Sequence, residues 1–84
     1  MLEIHYFASV REAMQRSKQQ LSLPEATMTV GGLVELLSRQ DACFKNVYES
    51  GKPLLVAVNQ TMVDSTHPVC DGDEVAFFPP MTGG

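Results

Sequence analysis

Residues 74–84 read Glu-Val-Ala-Phe-Phe-Pro-Pro-Met-Thr-Gly-Gly, a strand-like run that is interrupted by two prolines and ends in two glycines. Because proline has no amide hydrogen and holds φ at about −65°, the ladder of a sheet must stop at Phe78. The residues that follow leave the sheet, and six extended residues span at most about 20 Å. We predict a folded domain over residues 1–78 and an extended, flexible C-terminal tail over residues 79–84.

The last two residues of the tail suit insertion into a narrow cleft. Gly83 and Gly84 have no Cβ, so they pass through a gap that larger residues would block. A free α-carboxyl group is an anion at neutral pH and a poor electrophile, so a terminal carboxylate on Gly84 needs activation before it reacts. The alternative is an ordinary frayed terminus without chemistry.

Composition predicts one small globular domain. The 84 residues are 44% hydrophobic and 19% charged, which is typical of a chain that folds around a single core. The net charge of −4 argues against nucleic acid as a partner, because phosphate binding needs clustered Lys and Arg. No run approaches the roughly 18 apolar residues of a membrane span, and the N-terminus lacks the pattern of a signal peptide. We therefore expect a cytoplasmic protein that binds neither membranes nor nucleic acid.

The cysteines and histidines do not form a metal-binding pattern. Cys43 and Cys70 form no CxxC pair, and we expect two buried or partly buried thiols. His5 and His67 have no second ligand at metal-binding spacing, so we expect no metal. The sequence also lacks a catalytic triad, a phosphate loop and a cofactor fingerprint. We expect no bound cofactor and no activity of the chain alone.

The first part of the chain predicts two strands around a helix. Residues 1–7 alternate apolar and polar side chains, which indicates a strand, and residues 18–23 indicate a second one. Ser9 and Glu12 match a capping box, which predicts a helix over residues 10–16.

The middle of the chain predicts the main helix of the fold. Thr29 can cap a helix that covers the sheet. Its apolar side chains recur at helical spacing and are Val30, Leu33, Val34 and Leu37. Residues 41–53 predict only a short helical turn and a loop. Residues 54–63 predict a hairpin that turns at Asn59 and Gln60, and residues 74–78 predict the last strand.

Two regions of the chain carry motifs of one known family. Near the start these are Phe7-Ala8 and Val10-Arg11-Glu12, and in residues 56–84 they are Ala57-Val58-Asn59-Gln60-Thr61, His67-Pro68, Asp71-Gly72-Asp73-Glu74-Val75-Ala76-Phe77-Phe78-Pro79-Pro80 and Thr82-Gly83-Gly84. With these motifs the chain resembles the small, sulfur-carrier subunit of molybdopterin synthase. The resemblance implies the β-grasp, or ubiquitin-like, fold, an α+β architecture in which one main helix packs on one face of a mixed sheet.

The resemblance also implies a function in molybdenum cofactor biosynthesis. In the family, an adenylyltransferase resembling ubiquitin-activating enzymes uses ATP to adenylate the C-terminal glycine. A sulfurtransferase or another persulfide donor then converts it to a thiocarboxylate, which donates sulfur to the pterin precursor. The matching residue here is Gly84, and the tail residues that would enter the synthase are Pro79, Pro80, Met81, Thr82 and Gly83.

The outer face of the predicted sheet is the expected docking surface. Alternation places Phe7 and Phe78 on the face opposite the main helix, with Met62 as a neighbour, and an exposed apolar patch usually marks an interaction surface. The alternative is that these phenylalanines pack under a loop. The resemblance implies that the large subunit of the synthase docks there, with Arg11 as a polar contact, in a heterotetramer of two small and two large subunits.

Two other functions stay open from the sequence. A related sulfur carrier for thiamine synthesis or tRNA thiolation would keep the chemistry of Gly84 and change the recipient. A ubiquitin-like interaction module would have a tail without chemistry. Phe78-Pro79-Pro80 and the Val58-Asn59-Gln60-Thr61 hairpin favour the molybdopterin branch.

Overall fold

A computed structural model describes residues 1–24 and 27–80 of the chain. In chain order the elements of these residues are β1 (Leu2–Tyr6), α1 (Ala8–Met14), β2 (Lys18–Leu21), β3 (Thr27–Thr29), α2 (Val30–Gln40), α3 (Ala42–Glu49), β4 (Leu55–Val58), β5 (Thr61–Val63), β6 (Pro68–Cys70) and β7 (Glu74–Phe78). Five strands form a sheet in the order β2-β1-β7-β4-β5, and β3 pairs with β6 in a small second sheet. Strands β1 and β7 run parallel and the other neighbours run antiparallel. The predicted mixed sheet is confirmed.

The core lies between the helices and one face of the five-stranded sheet. Both β1 and β7 alternate buried and half-buried residues, so one face of each strand is sealed. The buried residues that pack together are Leu2, Ile4, Tyr6, Val10, Met14, Val30, Leu33, Val34, Leu37, Phe44, Val56, Val58, Val69, Val75 and Phe77. They include all four apolar positions predicted for α2. The main helix therefore covers the sheet as its spacing predicts.

The start of α2 also matches its prediction. Thr29 caps the helix, and its Oγ1 accepts a hydrogen bond of 3.1 Å from the amide of Gly32. The amide of Gly31 donates to the carbonyl oxygen of Ser65 at 2.9 Å. A Cβ on Gly31 would lie 3.3 Å from that oxygen. Glycine thus lets the connection between β5 and β6 approach the first turn of the main helix.

The capping box predicted at the start of α1 was wrong. The helix begins at Ala8, its N-cap is Phe7 in an extended conformation, and no side chain of the described residues caps it. The amides of Val10 and Arg11 instead donate to the carbonyl oxygen of Phe7, at 3.1 and 3.2 Å. Strand β1 runs directly into the helix, so Ser9 lies inside the first turn. The helix ends earlier than predicted, where Gln15 takes a left-handed φ of 58°.

The prediction for residues 41–53 was also wrong, because a helix of 8 residues, α3, fills most of this segment. Asp41 caps it, and its Oδ1 accepts a hydrogen bond of 2.9 Å from the amide of Cys43. Phe44 is fully buried and meets the ring of Phe77 edge-on at a centroid distance of 5.2 Å. This contact ties α3 to the central strand of the sheet.

The strands and the cysteines differ from their predictions in smaller ways. Strand β2 ends at Leu21 rather than at residue 23, and strands β3 and β6 have no counterpart in the prediction. Cys43 and Cys70 are both exposed, so the expectation of buried thiols was wrong. Cys43 follows the cap of a surface helix, and Cys70 ends a strand of the small sheet.

Candidate docking face and tail exit

The outer face of the five-stranded sheet carries the residues that alternate with the core positions. On the middle of this face, Ala76 of β7 lies between His5 of β1 and Ala57 of β4. Met62 of β5 lies beyond Ala57 in the same row. Because residues directly opposite each other point to the same side of a sheet, this row forms one continuous strip.

A second row lies at the end of β7 from which the tail leaves. Phe78 is paired with Leu55 of β4. On its other side Phe7 follows Tyr6, and the amide of Phe7 donates to the carbonyl oxygen of Phe77 at 3.1 Å. Phe7 and Phe78 are therefore neighbours at this end of the sheet. We call the surface formed by Phe7, Leu55, Ala57, Met62, Ala76 and Phe78 the outer apolar face.

The structure brings three of the four predicted docking residues to this outer apolar face. Phe7 is 48% exposed, Met62 is 55% exposed and Phe78 is half-buried. Arg11 lies on α1, exposed and one helical turn after Phe7, and it forms no ion pair within residues 1–24 and 27–80. The arrangement fits a docking surface with a cation at its edge, and the role of these residues stays a prediction.

The tail begins beside this face. Pro79 and Pro80 are half-buried and carry no strand pairing in the described part of the chain. They border an open groove of about 540 Å³ between α1 and α3, whose other lining residues are Ser9, Val10, Ala13, Cys43, Asn46, Val47, Ser50, Lys52, Pro53 and Leu54. The base of the tail thus lies between the outer apolar face and this groove. Met81, Thr82, Gly83 and Gly84 lie outside the described residues.

Two of the sequence motifs meet at the opposite end of β7. The side-chain amide of Asn59, in the turn between β4 and β5, donates to Oδ1 of Asp73 at 3.1 Å. Its oxygen accepts from the amide of Glu74 at 3.1 Å. Oδ2 of Asp73 accepts from the amide of Cys70 at 2.8 Å. These bonds fix the start of the central strand and join the Asn59 turn to the turn that precedes β7.

A cluster of charged and aromatic groups lies on the same outer face and was missed in the sequence. Nε2 of His5 lies 3.1 Å from Oε1 of Glu3 and 3.6 Å from Oε1 of Glu74. The His5 ring stacks on the ring of Phe7 with centroids 6.3 Å apart and planes 13° apart. Only the parallel register of β1 and β7 places Glu3 beside Glu74, so spacing along the chain could not reveal the cluster.

The groups with shifted pKa values lie away from the tail exit. Burial raises the pKa of Tyr6, on the inner face, to about 12. Hydrogen bonds from Thr66 lower the pKa of Asp64, in the loop after β5. Within the described residues no group of three or more His, Cys, Asp or Glu side chains is placed to hold a metal ion. No helix in this part of the chain is long and apolar enough to cross a membrane.

Comparison with known proteins gives one family. The model of the ThiS family matches residues 4–84. The chain is 43% identical to the molybdopterin synthase sulfur carrier subunit of Escherichia coli over 84 residues, which cover all of both chains. It is 38% identical to the protein of the same name from Haemophilus influenzae, again over the full length of both.

Solved structures agree with this fold. SAMP1 from Haloferax volcanii aligns over 99% of this chain and 98% of its own, with a TM-score of 0.80 and 23% identity. A putative subunit 1 of the molybdopterin converting factor from Pyrococcus furiosus covers 95% of this chain and 97% of its own, with a TM-score of 0.77 and 28% identity. A complex of subunits 1 and 2 of the molybdopterin-converting factor from Helicobacter pylori contains a chain with a TM-score of 0.67 and 19% identity, aligned over 99% of this chain and 97% of that one.

Proposed function

This chain belongs to the ThiS family, and from that membership we propose that it is a sulfur-carrier subunit of molybdopterin synthase that acts in molybdenum cofactor biosynthesis. One observation carries the proposal. The alignment with the Escherichia coli sulfur carrier subunit runs over all 84 residues of both chains at 43% identity. It therefore includes the tail and its two glycines as well as the domain.

The reactive group of the proposal is the carboxylate of Gly84. Transfer of AMP from ATP gives this carboxylate a leaving group, and pyrophosphate is released. The outer sulfur of a persulfide then attacks the carbonyl carbon and displaces AMP. A second thiol cleaves the resulting sulfur–sulfur bond, is itself oxidised to a disulfide, and leaves a thiocarboxylate on Gly84. ATP serves the activating enzyme, and the carrier itself holds no cofactor.

The domain supplies the surface on which each partner docks. The outer apolar face, on which Phe7 and Met62 are exposed, adjoins Pro79, where the tail begins. A partner that covers this face receives the tail directly beside the contact, and any four residues of chain span at most about 13 Å. This arrangement delivers a tethered nucleophile to an enclosed site, where its effective concentration is high and water is excluded.

The proposed partners are of three kinds. The large subunit of the synthase binds the carrier in an assembly of two small and two large subunits, an adenylyltransferase resembling ubiquitin-activating enzymes activates Gly84, and a sulfurtransferase or other persulfide donor supplies sulfur. A chain of the same fold in the Helicobacter pylori complex of subunits 1 and 2 supports a partner of the first kind. All of these steps take place in the cytoplasm.

The proposal is tested by weighing the intact chain after activation. The purified chain is incubated with the adenylyltransferase of its own organism, ATP and a persulfide donor, and we expect a mass gain equal to the exchange of one oxygen for one sulfur. The loaded carrier is then added to the large subunit and the pterin precursor, and molybdopterin is measured. Deletion of Gly84 abolishes both results, while Tyr48→Ala, at an exposed position on α3, leaves both unchanged.

Three outcomes separate the alternatives. A chain that gains no sulfur is a ubiquitin-like interaction module and contradicts the proposal. A chain that gains sulfur but does not support molybdopterin formation is a carrier for another pathway, such as thiamine synthesis or tRNA thiolation. Sulfur delivery by the chain without Gly84 contradicts the proposed chemistry itself.

A further inference from the structure

His5 occupies the border between the charged and apolar parts of the outer sheet face. On one side its Nε2 lies 3.1 Å from Glu3 and 3.6 Å from Glu74. On the other side its ring stacks on Phe7 at 6.3 Å and 13°. Its side chain is 25% exposed, while that of Glu3 is 45% exposed. One imidazole thus contacts two carboxylates and the most exposed phenylalanine of the docking face.

The two carboxylates need a group between them. Glu3 and Glu74 are direct partners in the parallel register of β1 and β7, and like charges directly opposite each other destabilise a sheet. His5 relieves this repulsion by presenting Nε2 to both. The register partner of His5 on β2 is Lys18, and its register partner on β7 is Ala76, so the neighbouring Glu74 is the charged group that β7 places near it. The ring is therefore held by the carboxylates in a fixed place.

Phe7 needs a support because it lies beyond the end of the β1 ladder. It is the N-cap of α1 and is 48% exposed. An exposed phenylalanine samples several rotamers, and fixing it on binding costs affinity. A ring that is already stacked has lost part of this freedom before the partner arrives. Aromatic pairs at this distance contribute measurably beyond the area they bury.

We propose that His5 is a positioning residue of the docking face, whose ring is anchored by Glu3 and Glu74 and holds Phe7 in the orientation that the large subunit meets. This inference rests on the proposed function, because it takes the large subunit as the partner that covers Phe7. The residue acts through Phe7 and does not contact the reacting tail.

The test measures the affinity of the full chain for the large subunit of its own organism by calorimetry. It is made at neutral pH and repeated in about 1 M salt, where the Debye length of about 3 Å removes long-range attraction. His5→Ala is expected to weaken binding about three- to tenfold, the size of one lost aromatic pair. His5→Phe keeps an aromatic ring stacked on Phe7, so it restores most of the affinity.

Two further variants serve as controls. His67→Gln removes the other histidine and Tyr48→Ala removes an exposed aromatic ring from α3, and both variants are expected to keep the affinity. In the free chain, the aromatic NMR signals of Phe7 should show the ring-current shift of a stacked neighbour in the wild type and in His5→Phe, and lose it in His5→Ala. Circular dichroism and thermal melting establish that each variant is folded.

The outcomes separate this inference from the proposed function. If the wild type does not bind the large subunit, both are overturned. If it binds and His5→Ala binds equally well, or if His5→Phe is as weak as His5→Ala, the positioning role is overturned and the proposed function stands.

Discussion

Phe77 and Phe78 are neighbours in the sequence and lie on opposite faces of the central strand β7. Phe77 is fully buried, stacks on Tyr6 at 6.3 Å and meets Phe44 edge-on at 5.2 Å. Phe78 is half-buried on the outer apolar face, next to Phe7 and the first proline of the tail. The same residue type thus stabilises the fold at one position and forms surface beside the tail at the next.

This contrast extends over both faces of the sheet. The inner positions of β1 and β7 are sealed by the helices, so a change there alters the free energy of unfolding. The side chains at the outer positions lose only part of their solvent-accessible surface when the chain folds. They become fully buried only when a partner covers them. Substitutions on the two faces should therefore separate stability from binding.

The largest effect is expected for Phe77→Ala. This change removes a buried ring that contacts two elements, and such substitutions cost about 3–5 kcal/mol. Urea denaturation followed by circular dichroism should show the loss of most of the stability of this small domain. A loss below about 1 kcal/mol would mean that the core does not depend on the inner face of β7.

The matched change on the outer face is Phe78→Ala. We expect its free energy of unfolding to fall by no more than about 1 kcal/mol, because part of the ring is already in water. Its affinity for the large subunit should fall at least about tenfold, as for a central aromatic residue of an interface. The same denaturation series and a binding titration check both parts. If Phe78→Ala were strongly destabilised but bound the large subunit normally, Phe78 would act in stability and not in binding, which contradicts the proposed difference between the two faces.

The inner face could be predicted from the sequence because its signal is local. Alternation in residues 1–7 and 74–78, and the spacing of α2, fix which side chains meet the core, and the structure confirms these elements. The Asn59–Gln60 turn and the cap at Thr29 were also readable, since turns and caps depend on residue types within a few positions. The choice of the β-grasp topology among the plausible α+β topologies came from the family resemblance and not from these patterns alone.

The outer face of the sheet could be predicted only in part from the sequence. Alternation assigned Phe7 and Phe78 to it, but the contact of His5 with Glu74 depends on a register between strands that are far apart in the chain. Helix α3 was predicted only as a short helical turn because the residues around Phe44 are largely polar, so its apolar stripe is narrow. Ser9 was misread as a cap because the carbonyl oxygen of Phe7 accepts the amide bonds of the first turn. The His5–Glu74 contact depends on tertiary structure, whereas the first turn of α1 depends on local backbone geometry that the residue types do not reveal.

Adding volume to each face of β7 gives a smaller contrast. Val75→Ile enlarges a fully buried side chain, and overpacking a core costs about 1–3 kcal/mol. Ala76→Val enlarges a side chain on the outer apolar face, where we expect a change of no more than about 0.5 kcal/mol, since the added methyl groups meet solvent and valine favours strands. Thermal and urea unfolding of the two variants, measured in parallel, check this. An equal cost for both would show that the outer face is packed.

The smallest effect is expected for Tyr6→Phe on the inner face. The hydroxyl of Tyr6 is buried and has no hydrogen-bond partner among residues 1–24 and 27–80, so its removal should leave the stability at neutral pH unchanged or raise it by up to about 1 kcal/mol. The pKa of this phenol is raised from 10.0 to about 12 by burial, so the folded state keeps its proton where the unfolded state has lost it. The stability that the neutral phenol contributes to the folded state is therefore fully present below pH 10.0, and it is lost as the pH rises to about 12.

Phenylalanine has no proton to lose, so the difference in unfolding free energy between Tyr6→Phe and the wild type should grow in favour of the variant across this window. Tyr48 lies exposed on α3, and Tyr48→Phe serves as the control whose difference from the wild type stays flat. Urea denaturation at a series of alkaline pH values measures both differences. If the difference in unfolding free energy between Tyr6→Phe and the wild type did not change with pH, water would reach the Tyr6 ring. The inner face of the sheet would then not be sealed at Tyr6.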